Sequence, residues 1–175
     1  MSNLMKMNHF EKQVHAIEPV FNSDSRLLIL GSFPSVQSRK TGFFYSHPKN
    51  RFWKVLAAII NSKVPITIEE KKAFLRERHI ALCDVIASCV IMGSRDSSIR
   101  KIVPNEITRI LQVAPIRCIG CNGSISYQLY KKYIYPLTKR EAVKLPSSSP
   151  ANTAWNLEKL KNEWKVCWSF IENVV

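Results

Sequence analysis

Four short, mainly apolar segments along the chain are candidates for β-strands. The clearest is residues 27–30, an uninterrupted apolar run that ends at Gly31 and is typical of a strand buried on both faces. The other three candidates are residues 80–85, 116–121 and 142–145. Longer stretches separate the four segments, and each is long enough to hold a helix.

Between these segments, apolar residues recur at the three- and four-residue spacing of amphipathic helices. The first helix is predicted to begin at Pro48, which a first helical turn accepts, and to continue to Ile60. Thr67 and Glu70 have the spacing of a capping box, so a second helix is predicted to end near Arg78. Further helices are predicted over 106–113 with Asn105 as its cap, over about 124–133, and after Pro150, where Trp155, Leu160, Trp164 and Trp168 would share one buried face.

This alternation predicts an α/β fold, a sandwich around a central, mainly parallel four-stranded sheet. A chain of 175 residues can bury one substantial core, and no repeat or linker divides it, so a single domain over 1–175 is expected. In open parallel sheets the ligand site lies outside the carboxyl ends of the strands. A site is therefore expected in the loops that follow Leu30, Val85, Cys121 and Leu145.

The charge of the chain points to a polyanionic partner. Lys and Arg number 26 against 13 Asp and Glu, which gives a formal net charge of +13. Neutralising phosphates releases counterions and gives tight, largely sequence-independent binding, so nucleic acid is the expected partner. The alternative is that the charge only keeps the protein in solution.

Other features of the composition exclude several classes of protein. No apolar stretch reaches the roughly 18 residues of a membrane helix, and residues 1–15 lack a signal-peptide core, so a cytoplasmic protein without a membrane span is expected. The five cysteines are an odd number and are expected to be reduced core residues. Cys118 and Cys121 have the spacing of half a zinc or redox site, but no second pair follows, and we expect neither a metal nor a cofactor.

The segment 31–53, which comprises the loop 31–47 and the start of the first predicted helix, carries the most suggestive chemistry. It contains glycines, prolines, aromatic residues, His47 and Asn50, and long loops in compact domains are usually functional. A nucleobase flipped out of DNA needs a flat apolar surface to stack on and amides to bind its edge. This loop offers both, although its aromatic residues would equally suit the edge of a core.

Several segments resemble one known family. Residues 41–54 (TGFFYSHPKNRFWK) are similar to the active-site segment of mismatch-specific uracil-DNA and thymine-DNA glycosylases, and residues 145–152 (LPSSSPAN) resemble the Pro-Ser-rich loop of the uracil-DNA glycosylase superfamily. Residues 31–35 (GSFPS), 81–89 (ALCDVIASC) and 93–99 (GSRDSSI) resemble its hypoxanthine-DNA (deoxyinosine) glycosylase branch. The resemblance covers most of residues 27–155 and implies a three-layer sandwich.

The resemblance also implies roles for particular residues. Superfamily members generally place an Asn or Asp in the first motif to position water, and here residues 31–35 offer no such group. The amide chemistry is therefore expected from other positions. The implied catalytic residues are Asn50 and Asn122; the implied base-binding residues are Ser32, Phe33, Tyr45 and His47; and the implied DNA-binding residues, which would fill the gap left by the flipped base, are Pro146, Ser147, Ser148, Ser149 and Asn152.

Each of these roles has a structural alternative. Asn50 could cap the following helix, Asn122 could be only a turn residue before Gly123, and His47 could be structural instead of electrophilic. Asp84 could activate water in place of the missing acid or only orient its loop. The serines could reflect turn composition, and the basic residues that flank the loop could hold phosphates or only be solvated; these are Arg39, Lys40, Lys49 and Arg51.

The leading hypothesis is a monomeric, monofunctional DNA glycosylase that excises deaminated bases, with hypoxanthine ranked before uracil. Bond cleavage would be mainly dissociative, with leaving-group stabilisation dominant. The second hypothesis is a non-catalytic DNA-binding module on the same scaffold. A third, a nucleotide-processing enzyme, lacks a glycine-rich phosphate loop in the sequence.

Overall fold

The structure, a computed structural model, describes residues 9–172. Within this range the strands are β1 (Glu11–Val14), β2 (Leu27–Gly31), β3 (Ile80–Asp84), β4 (Ile86–Ile91), β5 (Arg100–Pro104), β6 (Cys118–Asn122) and β7 (Val143–Leu145). Four of them form a parallel sheet in the order β3-β2-β6-β7. The four predicted strands are therefore confirmed; the third begins two residues and the fourth one residue later than expected.

Parallel pairing aligns the ends of these strands at one edge of the sheet. Gly31 pairs with Asp84, and Leu30 pairs with Cys121. On the other side of β6, Asn122 pairs with Leu145. The residues that follow all four strands consequently meet at the carboxyl edge, where the site was expected.

A second sheet, which the sequence did not predict, is antiparallel and has the order β1-β4-β5. Strand β4 follows β3 with only Val85 between them, so one extended segment serves both sheets. Strand β1 is mostly polar and exposed, and the β4–β5 pairing contains register shifts. These strands therefore lack the apolar runs and regular alternation from which strands are predicted.

The helices are short. They are α1 (Val36–Thr41), α2 (Phe52–Ile59), α3 (Ile68–Glu77), α4 (Ile107–Val113), α5 (Ser124–Leu129), α6 (Tyr135–Thr138), α7 (Leu157–Trp164) and α8 (Ser169–Glu172). A π-helical turn, Tyr130–Ile134, joins α5 to α6, and 3-10 turns lie at Asp96–Ser98 and Lys165–Cys167.

Two predicted helix starts are wrong, whereas those at Thr67 and at about residue 124 are confirmed. Helix α2 begins at Phe52 and not at Pro48, because residues 47–50 first form a turn in which the Asn50 N–H donates to the His47 carbonyl. Asn105 does not cap α4; its Nδ2 donates instead to the Asp84 and Ile86 carbonyls, which fixes the junction of β3 and β4. The capping box at the start of α3 is present as predicted.

Apolar cores lie on both faces of the central sheet, as strand β2 shows. Leu27 and Ile29 face one core, which α2, α3 and α7 cover, whereas Leu28 and Leu30 face the other, covered by α4 and the π-helical turn. Successive residues of a strand point to opposite faces. Helices on both faces of a parallel sheet form the three-layer α/β sandwich that was predicted.

The cysteines and the helices can be compared with what the composition led us to expect. The five cysteines are free and buried, as expected of core thiols. No helix within residues 9–172 is long and apolar enough to cross a membrane. The expectation about a targeting segment concerned residues 1–15, of which 1–8 lie outside the described residues.

Candidate active site

A cavity of about 110 Å³ lies at the carboxyl edge of the central sheet, where β2, β3 and β6 end. The loop before α2 and the loop after β7 complete its walls. The lining is both aromatic and polar, and it includes Ser32, Phe33, Tyr45, Asn50, Asp84, Asp96, Asn122, Ser147, Ser148 and Ser149. Three of the four loops that the sequence singled out, those after Leu30, Cys121 and Leu145, therefore meet at this cavity, whereas the segment after Val85 is not a loop but strand β4.

Asn50 lies just before α2, and its side-chain oxygen is fully engaged. Asn50 Oδ1 accepts hydrogen bonds from the Phe52 N–H and from Ser148 Oγ, each at 2.9 Å. The first bond satisfies a free N–H at the helix start, so the capping alternative describes part of the role of Asn50. Both bonds use the oxygen, and Nδ2 forms no hydrogen bond with any of residues 9–172. Because Asn50 lines the cavity, this NH₂ group is available to a molecule there.

Asn122 ends β6 and binds the same serine. Its Nδ2 donates to Ser148 Oγ and its Oδ1 accepts from the Ser148 N–H, each at 2.9 Å. Ser148 is fully buried, and its hydroxyl links the two asparagines because it accepts from Asn122 and donates to Asn50. This network fixes the orientation of both amides, and it leaves Ser148 no surface to offer to DNA.

Arg51 holds the loop after β7 against the start of α2. Its guanidinium donates to the carbonyl oxygens of Ser149 and Asn152 at 2.7 and 3.0 Å. Asn152 Nδ2 in turn donates to the Ser147 carbonyl at 2.9 Å. Arg51 and Asn152 are thus engaged within the protein, whereas Pro146, Ser147 and Ser149 are half-buried beside this cavity or the adjoining one.

Tyr45 and Phe33 give the cavity its aromatic surface. The Tyr45 ring stacks on Phe52 with centroids 4.0 Å apart and an interplanar angle of 15°, so one of its faces is covered. Burial raises the pKa of Tyr45 well above its ordinary value, the Asp84 carboxylate adds to this, and the Asn122 amide opposes it. The Tyr45 hydroxyl therefore stays protonated. Phe33 is buried, with its centroid 5.9 Å from the His15 ring in an edge-on contact.

A buried hydrogen-bonded pair lies at the end of β3. The Asp84 and His15 side chains are 4% and 3% exposed, and Asp84 Oδ2 lies 2.8 Å from His15 Nε2. A Cβ at Gly31 would overlap Asp84 Oδ1, so only glycine at this position lets the carboxylate lie against the end of β2. The sequence singled out Asp84 but not His15, because a histidine in a polar segment carries no signal of its own.

A second carboxylate, Asp96, also lines the cavity, in contact with the segment 31–35. Its Oδ1 accepts a hydrogen bond from Ser32 Oγ at 2.9 Å. Surrounding protein raises the pKa of Asp96, although much of its surface remains open to solvent and to the cavity. Asp96 was not among the predicted site residues; the only signal was its position in segment 93–99, which carried the family resemblance.

The remaining predicted residues do not meet at the cavity. His47 is exposed, its Nδ1 accepts from the Lys49 N–H, and it is not among the cavity-lining residues. Arg39 donates to two backbone carbonyls and lies over the Phe33 ring. Lys40 and Lys49 are exposed, so they remain available to phosphates.

The fold has a counterpart among solved structures. The chain superposes on a solution NMR structure of a candidate uracil DNA glycosylase from Methanosarcina acetivorans with a TM-score of 0.77. The two sequences are 28% identical, and the match covers 90% of this chain and 97% of the other. The architecture is that of a uracil DNA glycosylase-like α/β sandwich.

This chain belongs to the Uracil DNA glycosylase superfamily, whose model matches residues 18–172. It is similar to two proteins named "Hypoxanthine DNA glycosylase", from Methanosarcina acetivorans at 30% identity and from Methanosarcina barkeri at 29%. Each match spans 148 residues, 83% of this chain and 92% of the relative. The resemblance seen in the sequence is confirmed, and the chain is a DNA glycosylase.

Proposed function

We propose that this protein is a monofunctional glycosylase that hydrolyses the bond between hypoxanthine and deoxyribose in DNA. Two similar proteins are named for hypoxanthine, and this chain covers nearly their whole length. A flipped base would enter the cavity at the carboxyl edge of the sheet. The proposal rests above all on the orientation of Asn50, whose oxygen is occupied by the protein while its NH₂ group is free at the cavity.

The proposed role of the amides follows from the negative charge that develops on the departing base. When the bond between the base and C1′ breaks, its electron pair moves onto the base, whose ring nitrogens and oxygen become more negative. An N–H donor fixed in advance at such an atom stabilises the transition state by about 3 kcal/mol. Asn50 Nδ2 is the proposed donor. Asn122 Nδ2 uses one hydrogen on Ser148 and retains a second one for the base.

The base itself would be held by the aromatic walls. Because Phe52 covers one face of Tyr45, only the other face is open to a ligand, and stacking of a base on an aromatic ring contributes about 1–3 kcal/mol. Ser32 and Phe33 line the same cavity. His47 has no part in this proposal, since its exposed ring lies away from the cavity lining.

The duplex would lie across the mouth of the cavity. Pro146, Ser147 and Ser149 are the proposed residues beside the gap that the flipped base leaves, and an adjoining cavity of about 600 Å³ shares Ser147 and Ser149 with the first. Ser148 and Asn152 would support this loop from within. The formal charge of +13 favours binding to phosphates.

The test is release of free hypoxanthine from a duplex that carries one deoxyinosine, measured by chromatography under single-turnover conditions. Asn50→Ala should slow release by about 10²–10³-fold through loss of the donor. Asn162→Ala is the matched control, because Asn162 is exposed on α7 and does not line the cavity. Product strands should remain intact until treated with alkali, as expected of an enzyme without lyase activity.

Two results would contradict the proposal. Binding of the deoxyinosine duplex without base release would favour a non-catalytic DNA-binding module. Release of uracil alone, from a parallel panel of hypoxanthine, uracil, xanthine and mismatched thymine, would reject hypoxanthine as the substrate while leaving the family unchanged.

A further inference from the structure

Two polar atoms beside Gly31 lack hydrogen-bond partners within the protein. Tyr45 Oη is buried and forms no hydrogen bond of normal geometry with any residue in the 9–172 range, although the Asn122 amide lies near enough to lower its pKa. Asp84 uses Oδ2 to bind His15, while Oδ1 has no partner in the same range and Asp84 lines the cavity. Buried polar groups are nearly always paired, so the unpaired Tyr45 hydroxyl, beside a carboxylate oxygen at the cavity, points to a bound polar molecule.

The two atoms are close to each other. A Cβ built on Gly31 would lie 2.8 Å from Tyr45 Oη and would overlap Asp84 Oδ1. Gly31 ends β2 and pairs with Asp84, so the hydroxyl and the carboxylate meet where the first two strands of the site end. A protonated hydroxyl and a carboxylate oxygen together match the hydrogen-bonding needs of one water molecule.

His15 holds the carboxylate in this orientation. Its Nε2 lies 2.8 Å from Asp84 Oδ2, and its ring is fixed between Phe33 and Phe44, at centroid distances of 5.9 and 6.0 Å. With Oδ2 anchored, Oδ1 is directed away from His15. The other cavity carboxylate, Asp96, differs because its Oδ1 is already bound by Ser32.

We propose that Asp84 Oδ1 and Tyr45 Oη bind the water molecule that attacks the sugar, with Asp84 as its general base and His15 as a positioning residue. This inference rests on the proposed function. Asp84, at the end of β3, would activate the water, a role for which residues 31–35 have no suitable side chain. The amides of Asn50 and Asn122 cannot supply it, because an amide does not take up a proton at neutral pH.

The step balances without any further reactant. The bond between C1′ and the base breaks, and its electron pair leaves with the base. One lone pair of the water oxygen forms the new bond to C1′, while a second accepts the hydrogen bond from Tyr45 Oη. The proton lost by the water passes to Asp84 Oδ1, and the carboxylic acid later releases it to solvent.

The test compares Asp→Asn substitutions in the full-length protein by single-turnover release of hypoxanthine from a deoxyinosine duplex. Asp84→Asn should slow release by about 10²–10⁴-fold, the usual contribution of a general base. Binding of the duplex should change less than about threefold. Asp24→Asn is the matched control, since Asp24 is exposed and remote from the cavity lining, and Asp96→Asn tests the other carboxylate.

Two further variants separate chemistry from folding. Asp84→Ala leaves a space that formate can fill, so added sodium formate should raise its rate at least about tenfold over the same concentration of sodium chloride; a merely structural carboxylate would show no such rescue. Tyr45→Phe keeps the ring on Phe52 and removes only the hydroxyl. It should lower the rate by about two- to tenfold with unchanged binding, and it remains informative if the Asp84 variants fail to fold.

The outcomes distinguish this inference from the function on which it rests. If the unmodified protein releases no hypoxanthine, the proposed function fails first. If it does release hypoxanthine and a folded Asp84→Asn variant is as fast, Asp84 is not the base and the inference is wrong. The inference is also wrong if Asp96→Asn loses activity while Asp84→Asn does not. If no Asp84 variant folds, a Tyr45→Phe variant that works at the full rate would overturn it.

Discussion

The two functions of Asn50 can be separated by replacing it with aspartate. Asn50→Asp retains an oxygen that accepts from the Phe52 N–H and from Ser148 Oγ, but it replaces the NH₂ donor with a second, negatively charged oxygen. Asn50→Ala loses the donor and both bonds to the oxygen. One substitution therefore removes the chemistry alone, and the other removes the chemistry and the helix cap.

The expected magnitudes differ accordingly. For Asn50→Ala, loss of the cap lowers the free energy of unfolding by about 1 kcal/mol, and the buried Ser148 hydroxyl loses its acceptor at a further cost of about 1 kcal/mol. For a domain of this size about 2 kcal/mol corresponds to a fall in Tm of roughly 4–8 °C. Asn50→Asp should change Tm by less than half of that, while its rate of hypoxanthine release falls by at least about 10²-fold.

Thermal unfolding followed by circular dichroism, together with single-turnover release from a deoxyinosine duplex, measures both quantities on the same preparations. The design compares two variants of one residue, so differences in expression or in distant packing do not enter. A fully active Asn50→Asp variant would show that the amide NH₂ is not the donor. An Asn50→Ala variant with unchanged Tm would show instead that the bonds to Phe52 and Ser148 contribute nothing to stability.

Three further predictions concern neighbouring residues. Gly31→Ala should lower the free energy of unfolding by about 1–3 kcal/mol in urea titration, because its Cβ overlaps the anchored Asp84 carboxylate; unchanged stability would mean that this carboxylate moves freely. Ser148→Ala should cost about 1–3 kcal/mol in the same titration and also slow base release, since both asparagines lose a partner. Asp96 has a raised pKa, so its neutral form is favoured by folding, and stability should fall as pH rises from the ordinary carboxyl range through that pKa. Asp96→Asn should remove this fall, as a comparison of Tm at about pH 4 and pH 7 will show, and equal pH dependence in both proteins would contradict it.

The central sheet could be predicted because its strands are buried on both faces. Such strands must be apolar at every position, and residues 27–30 show this without interruption. The antiparallel sheet could not, since its strands are short, partly exposed and irregular in register, and their pairing is decided by contacts distant in sequence. Local patterns also misplaced the start of α2, which was expected at Pro48. The helix begins instead at Phe52, whose N–H donates to the Asn50 side chain.

The candidate site divides in the same way. Asn50 belongs to a segment with a family resemblance and Asn122 follows the third predicted strand, so sequence was enough to single them out. The structure adds what neither residue shows alone, namely that buried Ser148 joins them. A serine in a Pro-Ser-rich loop looks like a surface residue, and only the packing of that loop against Arg51 and α2 reveals that it is internal.

The half of the site that the sequence did not reveal depends on the second sheet. His15 reaches Asp84 because β1 pairs with β4, and the His15 N–H donates to the Ala87 carbonyl at 2.7 Å. Asp96, in the 3-10 turn between β4 and β5, accepts a hydrogen bond from Ser32. The central sheet thus carries Asn122 and Asp84 at its edge, whereas the antiparallel sheet brings His15 to Asp84 and leads to Asp96. A chain whose first motif has no acid can in this way still present carboxylates at the cavity, and substitutions that loosen β1 from β4 should impair the carboxylate side while leaving the hydrogen bonds among Asn50, Ser148 and Asn122 intact.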